Sequence, residues 1–332
     1  MIFTEAQWAR LGGMAEILAC EGDAPMEAAE VDAELSRVAA VIGQTDLPRE
    51  RIELAASLRA IVNVEGNFFP NVDYEACFRR GIEVLGIAPV FALPVAEMAL
   101  GLALDLARGI TAGDGAMREG REAYGLAGNR GAFLLSNATI GIIGFGNLGR
   151  VLNRLLAGFR ARVLAHDPWL PDAAIREEGA EACPLDDLLA RARVIFVLAS
   201  VTAENQHFLG RRELERIAPG SALVLASRAA VVDFDALLEF AREGRLRVAT
   251  DVFPREPVPP DDPARSVTGM VLSSHRAGGV PEAFCDIGER VLDDLALILR
   301  GLAPVRLQPA RPQTVGLMRS KPGRTYGSDA EN

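Results

Sequence analysis

Apolar positions recur with two periods along this chain, and the two alternate. Runs of β-branched and apolar residues at 38–43, 58–64 and 82–85 predict strands. Between them, stretches with helical spacing at 24–37, 48–57 and 72–80 predict helices, so the first eighty residues read as a small α/β unit. The segment 92–108 predicts a long helix with Pro94 near its start. It carries apolar residues on both flanks (Val95, Met98, Ala99, Leu102, Ala103, Leu106), the pattern of a helix buried on more than one face. The Gly-rich, charged stretch 109–131 is expected to be exposed and partly irregular. From Thr139 the alternation becomes regular. Strands are predicted at 139–143, 162–167, 194–198, 222–226, 248–250 and 270–273, with helices at 173–178, 185–191, 213–217, 233–243 and 282–300. Sustained strand–helix alternation implies a parallel, doubly wound sheet. Beyond Pro309 the chain is polar and is expected to be a loose arm.

One stretch organises the second half. Ile140-Gly141-Ile142-Ile143 runs into Gly144-Phe145-Gly146-Asn147-Leu148-Gly149, and Val151, Leu152, Leu155 and Leu156 follow at helical spacing. A strand, a Gly-x-Gly-x-x-Gly turn and a helix in that order form a dinucleotide-binding arrangement. Gly144 permits the tight turn, Gly146 lets a pyrophosphate approach the backbone, and Gly149 lets the helix sit close to the strand. The first helical residues, Asn147, Leu148 and Gly149, offer N–H groups to the phosphates. Asp167 ends the next strand at the spacing expected of an acid that binds the adenosine ribose.

The length of 332 residues suggests two domains, and a 49% hydrophobic content supplies sizeable cores. A net charge of −10 argues against nucleic acid or an anionic membrane as partner. No apolar run is expected to reach the length of a membrane span, and residues 1–5 lack the features of a signal peptide. Four scattered cysteines (Cys20, Cys77, Cys183, Cys285) fit free thiols in a cytoplasmic protein. Lys321 is the single lysine, which argues against Schiff-base chemistry. His166, His207 and His275 are the three histidines, and no metal-ligand spacing is present.

Three charged residues fall just past predicted strands, where a doubly wound sheet places its crevice. These are Arg228, Glu256 and His275. Reduction of a keto acid by hydride needs a cation to hold the carboxylate, a proton donor for the developing alkoxide, and a carboxylate that favours the charged donor. The chain offers one of each.

The glycine turn, Ser227-Arg228 with Val232-Asp233, the stretch Asp251-Val252-Phe253-Pro254-Arg255-Glu256-Pro257, and His275-Arg276-Ala277-Gly278-Gly279 together resemble the D-isomer-specific 2-hydroxyacid dehydrogenases. Pro94-Val95-Ala96-Glu97 is similar to the start of that family's interdomain helix. The resemblance runs from about residue 61 to 302. It implies a Rossmann domain, expected at 106–300, and a smaller flavodoxin-like substrate domain from 1–105 with 301–332. It implies Arg228 for substrate binding, with His275 as acid/base and Glu256 as its partner. Further cofactor contacts are implied at Ser200, Thr202, Ala226, Ser227, Asp251 and Gly278, and substrate-carboxylate contacts at Glu65, Gly66 and Asn67. A homodimer joined through the cofactor domains is implied as well. Departures exist. Leu198 and Ser200 stand where the family often has His and Pro, Ala229-Ala230 replaces a glycine pair, and the loop 65–71 differs from the usual glycine-rich one. The expected activity is NAD-dependent interconversion of a D-2-hydroxy acid and its 2-keto acid. A dimeric NAD(H)-sensing scaffold of the corepressor type and oxidation of a phosphite-type hydride donor are the alternatives.

Overall fold

The computed structural model describes residues 2–20, 26–64, 66, 68–202 and 204–317. The chain divides into two units. Met1–Phe91, Thr202–Glu204 and Val280–Asn332 form one, and Ala92–Val201 with Asn205–Gly279 form the other. The boundaries therefore fall at 91 and 279, not at 105 and 300. The reason is packing: the helix Ala92–Arg108 lies on the larger sheet, and the helix Pro281–Ile298 completes the smaller core.

In the smaller unit, β1 (Ala40–Ile42), β2 (Ala60–Asn63) and β3 (Glu83–Gly86) run parallel, and Gln308–Pro309 adds an antiparallel strand beside β3. Side-chain alternation along β2 serves both faces. Ala60 and Val62 join Phe3, Leu11, Ile287, Val291 and Leu295, while Ile61 joins Ile52, Phe68, Val72 and Cys77. The helix Pro281–Ile298 buries Ile287, Val291, Leu292, Leu295 and Ile298. At about 2 kcal/mol for each such side chain, that stripe contributes on the order of 10 kcal/mol, comparable to the whole stability of a domain. Asp294 on the same helix is fully buried, and its carboxylate accepts the N–H groups of Val305, Arg306 and Leu307 at 2.7–3.0 Å, turning the chain toward its last strand. Where a loose arm is expected, Gln308–Pro309 is paired and Pro312–Leu317 is a helix, and the rest of that stretch lies outside the described residues.

In the larger unit, seven strands are all parallel: β4 (Thr139–Ile143), β5 (Arg162–His166), β6 (Glu181–Ala182), β7 (Val194–Val197), β8 (Ala222–Leu225), β9 (Arg247–Thr250) and β10 (Val271–Leu272). Their order is β10-β9-β8-β7-β4-β5-β6. The winding reverses between β4 and β7, the switch point of a Rossmann sheet. The stretch 88–108 is long and apolar enough, with mean hydropathy 1.8, to cross a membrane by length and composition, contrary to expectation. Half of it is buried, and Val95, Ala99, Leu102 and Leu106 face the protein interior. The stretch 109–131 is also more ordered than its composition suggests, containing the helices Ile110–Arg118 and Gly125–Gly128. Arg247, at the start of β9, donates to the carbonyls of Leu106 (3.0 Å) and Gly131 (2.7 Å) and lies over the Phe133 ring. Burial and the neighbouring Arg193 push its guanidinium below its ordinary value.

Candidate active site on the larger sheet

The sheet register gathers the expected residues along one edge. His166, Ile143, Val197, Leu225, Thr250 and Leu272 form a single cross-strand row. The next residues along their strands are Asp167, Gly144, Leu198, Ala226, Asp251 and Ser273. With strands about 4.8 Å apart, the crevice past this row runs from Asp167 at one side to His275 at the other. Ser200 lies just past β7, and Ala226, Ser227 and Arg228 follow β8. Thr202, buried, groups with the smaller unit. Gly66 lies past β2 in that unit, where a Cβ would come 3.8 Å from the Phe91 ring. Glu65 and Asn67 lie outside the described residues.

The glycine turn fits a dinucleotide pyrophosphate on steric grounds. Gly144 has φ of 92°, and a Cβ there would sit 2.6 Å from the backbone of Ala199. A Cβ on Gly149 would come 2.4 Å from the Gly144 carbonyl oxygen. Both must be glycine for the protein's own packing. Gly146 differs: a Cβ there would meet nothing within 4 Å, so its open face is free for a ligand's approach. The helix Asn147–Leu156 that follows has no side-chain cap, as suits a helix end that receives an anion. The Asp167 carboxylate accepts the N–H of Phe145 at 2.8 Å and of Trp169 at 3.0 Å, which ties β5's end to the glycine turn. Beside it a cleft of about 330 Å³ is lined by His166, Asp167, Pro168, Asp172, Cys183 and Pro184. Two of its lining residues are carboxylates, and none is Arg or Lys.

At the other end, His275 Nδ1 stands 2.5 Å from Glu256 Oε2. The second oxygen of Glu256 accepts the Phe253 N–H at 2.8 Å. A carboxylate so placed accepts the proton on Nδ1, which directs the free Nε2 outward. The imidazole is 42% exposed, open to a substrate. Its backbone is left-handed, with φ of 52°. Arg228 is exposed and donates to the carbonyl of Ser227 at 2.7 Å. With β9 between β8 and β10, the ends carrying Arg228 and His275 are about 10 Å apart, a span that a long guanidinium side chain and a small acid can bridge. Sequence reasoning missed the donors on Asp251. It receives the hydroxyl of Ser273 and the N–H groups of Arg276 and Ala277. No sequence signal marks them, since two of the three donors are backbone N–H groups.

Residues 100–277 match the family model described as D-isomer specific 2-hydroxyacid dehydrogenase, NAD binding domain. A glyoxylate reductase of Korarchaeum cryptofilum is 31% identical over 262 residues, covering 78% of each chain. A D-3-phosphoglycerate dehydrogenase of Archaeoglobus fulgidus is 30% identical over 85% of this chain but only 53% of its own length. The chain thus spans about half of that relative. A phosphoglycerate oxidoreductase from Rhizobium etli, known from its crystal structure, superposes with a TM-score of 0.86 at 44% identity, covering 93% of this chain and 94% of that one. With fold, glycine turn and family match in agreement, the chain belongs to the D-isomer specific 2-hydroxyacid dehydrogenase family and is a dinucleotide-binding oxidoreductase.

Proposed function

We propose that the protein interconverts a D-2-hydroxy acid and its 2-keto acid with NAD as redox partner. The His275–Glu256 pair, 2.5 Å apart past the end of β10, is the observation that carries this reading. The nicotinamide, when bound, would give or take the hydride. The chain's residues would do the rest. The His275 imidazolium would donate its Nε2 proton to the alkoxide oxygen during reduction and take it back during oxidation. Glu256 would hold the imidazole's tautomer and orientation. Arg228 would hold the substrate carboxylate in its planar fork and polarise the carbonyl, and the backbone around Glu65, Gly66 and Asn67 would add N–H donors.

Gly144, Gly146, Asn147, Leu148 and Gly149 would cradle the pyrophosphate, while Ser200, Thr202, Ala226, Ser227 and Gly278 would line the remainder of the cofactor. NAD is favoured over NADP because the adenosine-side cleft presents Asp167 and Asp172 where a 2′-phosphate would need cations. We also place the protein in the cytoplasm as a homodimer. Ile110, Met117, Leu126 and Leu134 are exposed on the larger unit and suit such an interface.

A panel of small 2-keto acids with NADH, followed by loss of absorbance, tests the reading. His275→Ala should lower turnover by about a hundredfold or more. Near-normal turnover in that variant would sink the assignment, and equal efficiency with NADPH would remove the role given to Asp167. Tight NADH binding without turnover on any acid would point to the dinucleotide-sensing scaffold instead.

A further inference from the structure

Asp251 lies directly past β9 and is 1% exposed. Both its oxygens are engaged by the segment after β10. Oδ1 accepts the Ser273 hydroxyl and the Arg276 N–H at 3.1 Å, and Oδ2 accepts the Ala277 N–H at 3.0 Å. These donors flank His275 on its two sides in the chain. Between them His275 is held at φ of 52°, a left-handed conformation that is strained for a non-glycine residue. The strand cannot supply that restraint. Its ladder reaches only the Ser273 N–H, which donates to the Thr250 carbonyl at 2.9 Å, two residues short of the histidine. A buried carboxylate that accepts three hydrogen bonds is suited to hold the turn. The anchor is itself fixed, because the Asp251 N–H donates to the Leu225 carbonyl at 3.1 Å.

We propose that Asp251 is a positioning residue for His275. Its buried carboxylate clamps the left-handed turn from below while Glu256 orients the ring from the side. The proposal rests on His275 as the proton carrier, and the test separates the two.

Four variants are compared with the wild type: Ser273→Ala, Ser273→Thr, Asp251→Asn and His275→Ala, together with the Ser273→Ala/His275→Ala double variant. For each, kcat and KM for the keto acid are measured along with NADH affinity by fluorescence. Removing the Ser273 hydroxyl deletes one of the three bonds without touching the ring. It should lower kcat roughly fivefold, and Ser273→Thr should restore it. Asp251→Asn keeps the shape but turns one acceptor into a donor facing the Ala277 N–H, and should lower kcat on the order of a hundredfold. NADH affinity should stay within about twofold in both, and Ser273→Ala should add nothing once His275 is alanine.

Unchanged kcat in Ser273→Ala overturns the clamp. So does a loss of NADH affinity that matches the loss of kcat, or a full Ser273→Ala effect in the His275→Ala background. Should Asp251→Asn fail to fold, the Ser273 series decides alone. Near-normal turnover in His275→Ala would instead mean that the underlying assignment of the proton carrier has failed.

Discussion

A single backbone angle distinguishes position 275 from an ordinary loop residue. Elsewhere alanine is more stabilising than glycine by roughly 0.5–1 kcal/mol, because glycine has more freedom to lose. At φ of 52° the order should reverse, since alanine inherits the left-handed strain and glycine does not. His275→Gly is therefore expected to unfold at higher urea than His275→Ala by about 1 kcal/mol, although both lack the imidazole. An alanine variant as stable as the glycine one would show that the turn is unstrained.

Asp73 shows a different residue-level control. Its carboxylate caps the helix Tyr74–Arg80, accepting the Ala76 N–H at 2.8 Å, and that bond, then Arg49, holds it below its ordinary value of 3.8. A carboxyl lowered by folding contributes stability that is complete well above pH 4 and is lost as pH falls through the folded value. Asp73→Asn keeps the cap without the charge. At pH 7 it should be less stable than wild type by about 0.5 kcal/mol, and the gap should narrow in urea melts as pH falls below 3.8.

At the scale of elements, Asp294 joins a helix to the strand beyond it. Asp294→Ala would leave the N–H groups of Val305, Arg306 and Leu307 buried or half-buried without their acceptor. Denaturation should show a loss of about 3 kcal/mol, with Asp294→Asn recovering part of it. A loss under 1 kcal/mol would mean that water replaces the carboxylate. No pattern in the sequence marks this residue, because an acid inside an amphipathic helix looks like part of its wet face. Elements whose partners are local were legible. The helix Ala92–Arg108 and the strand–turn–helix at Gly144 fall where the periodicity predicts them, and Asp233 caps its helix by accepting the Ala236 N–H. The helix Glu5–Gly12 was missed although Thr4 and Gln7 form a reciprocal cap at its start, a signal that was available. β6 and Gln308–Pro309 are two-residue strands, too short to show a period, and exist only because a neighbour pairs with them. The helices within 109–131 were obscured by glycines that composition alone counts as breakers. In the site, the strand-end acids and His275 could be named from sequence. The donors to Asp251 could not, since two of the three are backbone N–H groups that no side chain identifies.

On the scale of the whole molecule, the units differ in how their chain is gathered. The larger one is nearly continuous from Ala92 to Gly279, and its sheet pairs strands close in sequence. The smaller one closes its core only when Phe3 and Leu11 meet Ile287, Val291 and Leu295, and Gln7 donates to the Cys285 carbonyl across 278 positions. Contacts that close such long loops form late. Pulse-labelled hydrogen exchange during refolding should show the amides of Ile142, Phe196 and Val224 protected before those of Ile61 and Val84. The opposite order would mean that the N-terminal segment folds without its C-terminal helix. The same chain course sets a schedule for the ribosome. Residues 2–91 are made before the larger unit, and the helix Pro281–Ile298 that covers Ala60, Val62 and Leu85 follows only after roughly two hundred more. At about 5–20 residues per second, that apolar face stays uncovered for some ~10–40 s. This protein thus asks most of the cell's chaperones in the interval before its last long helix emerges.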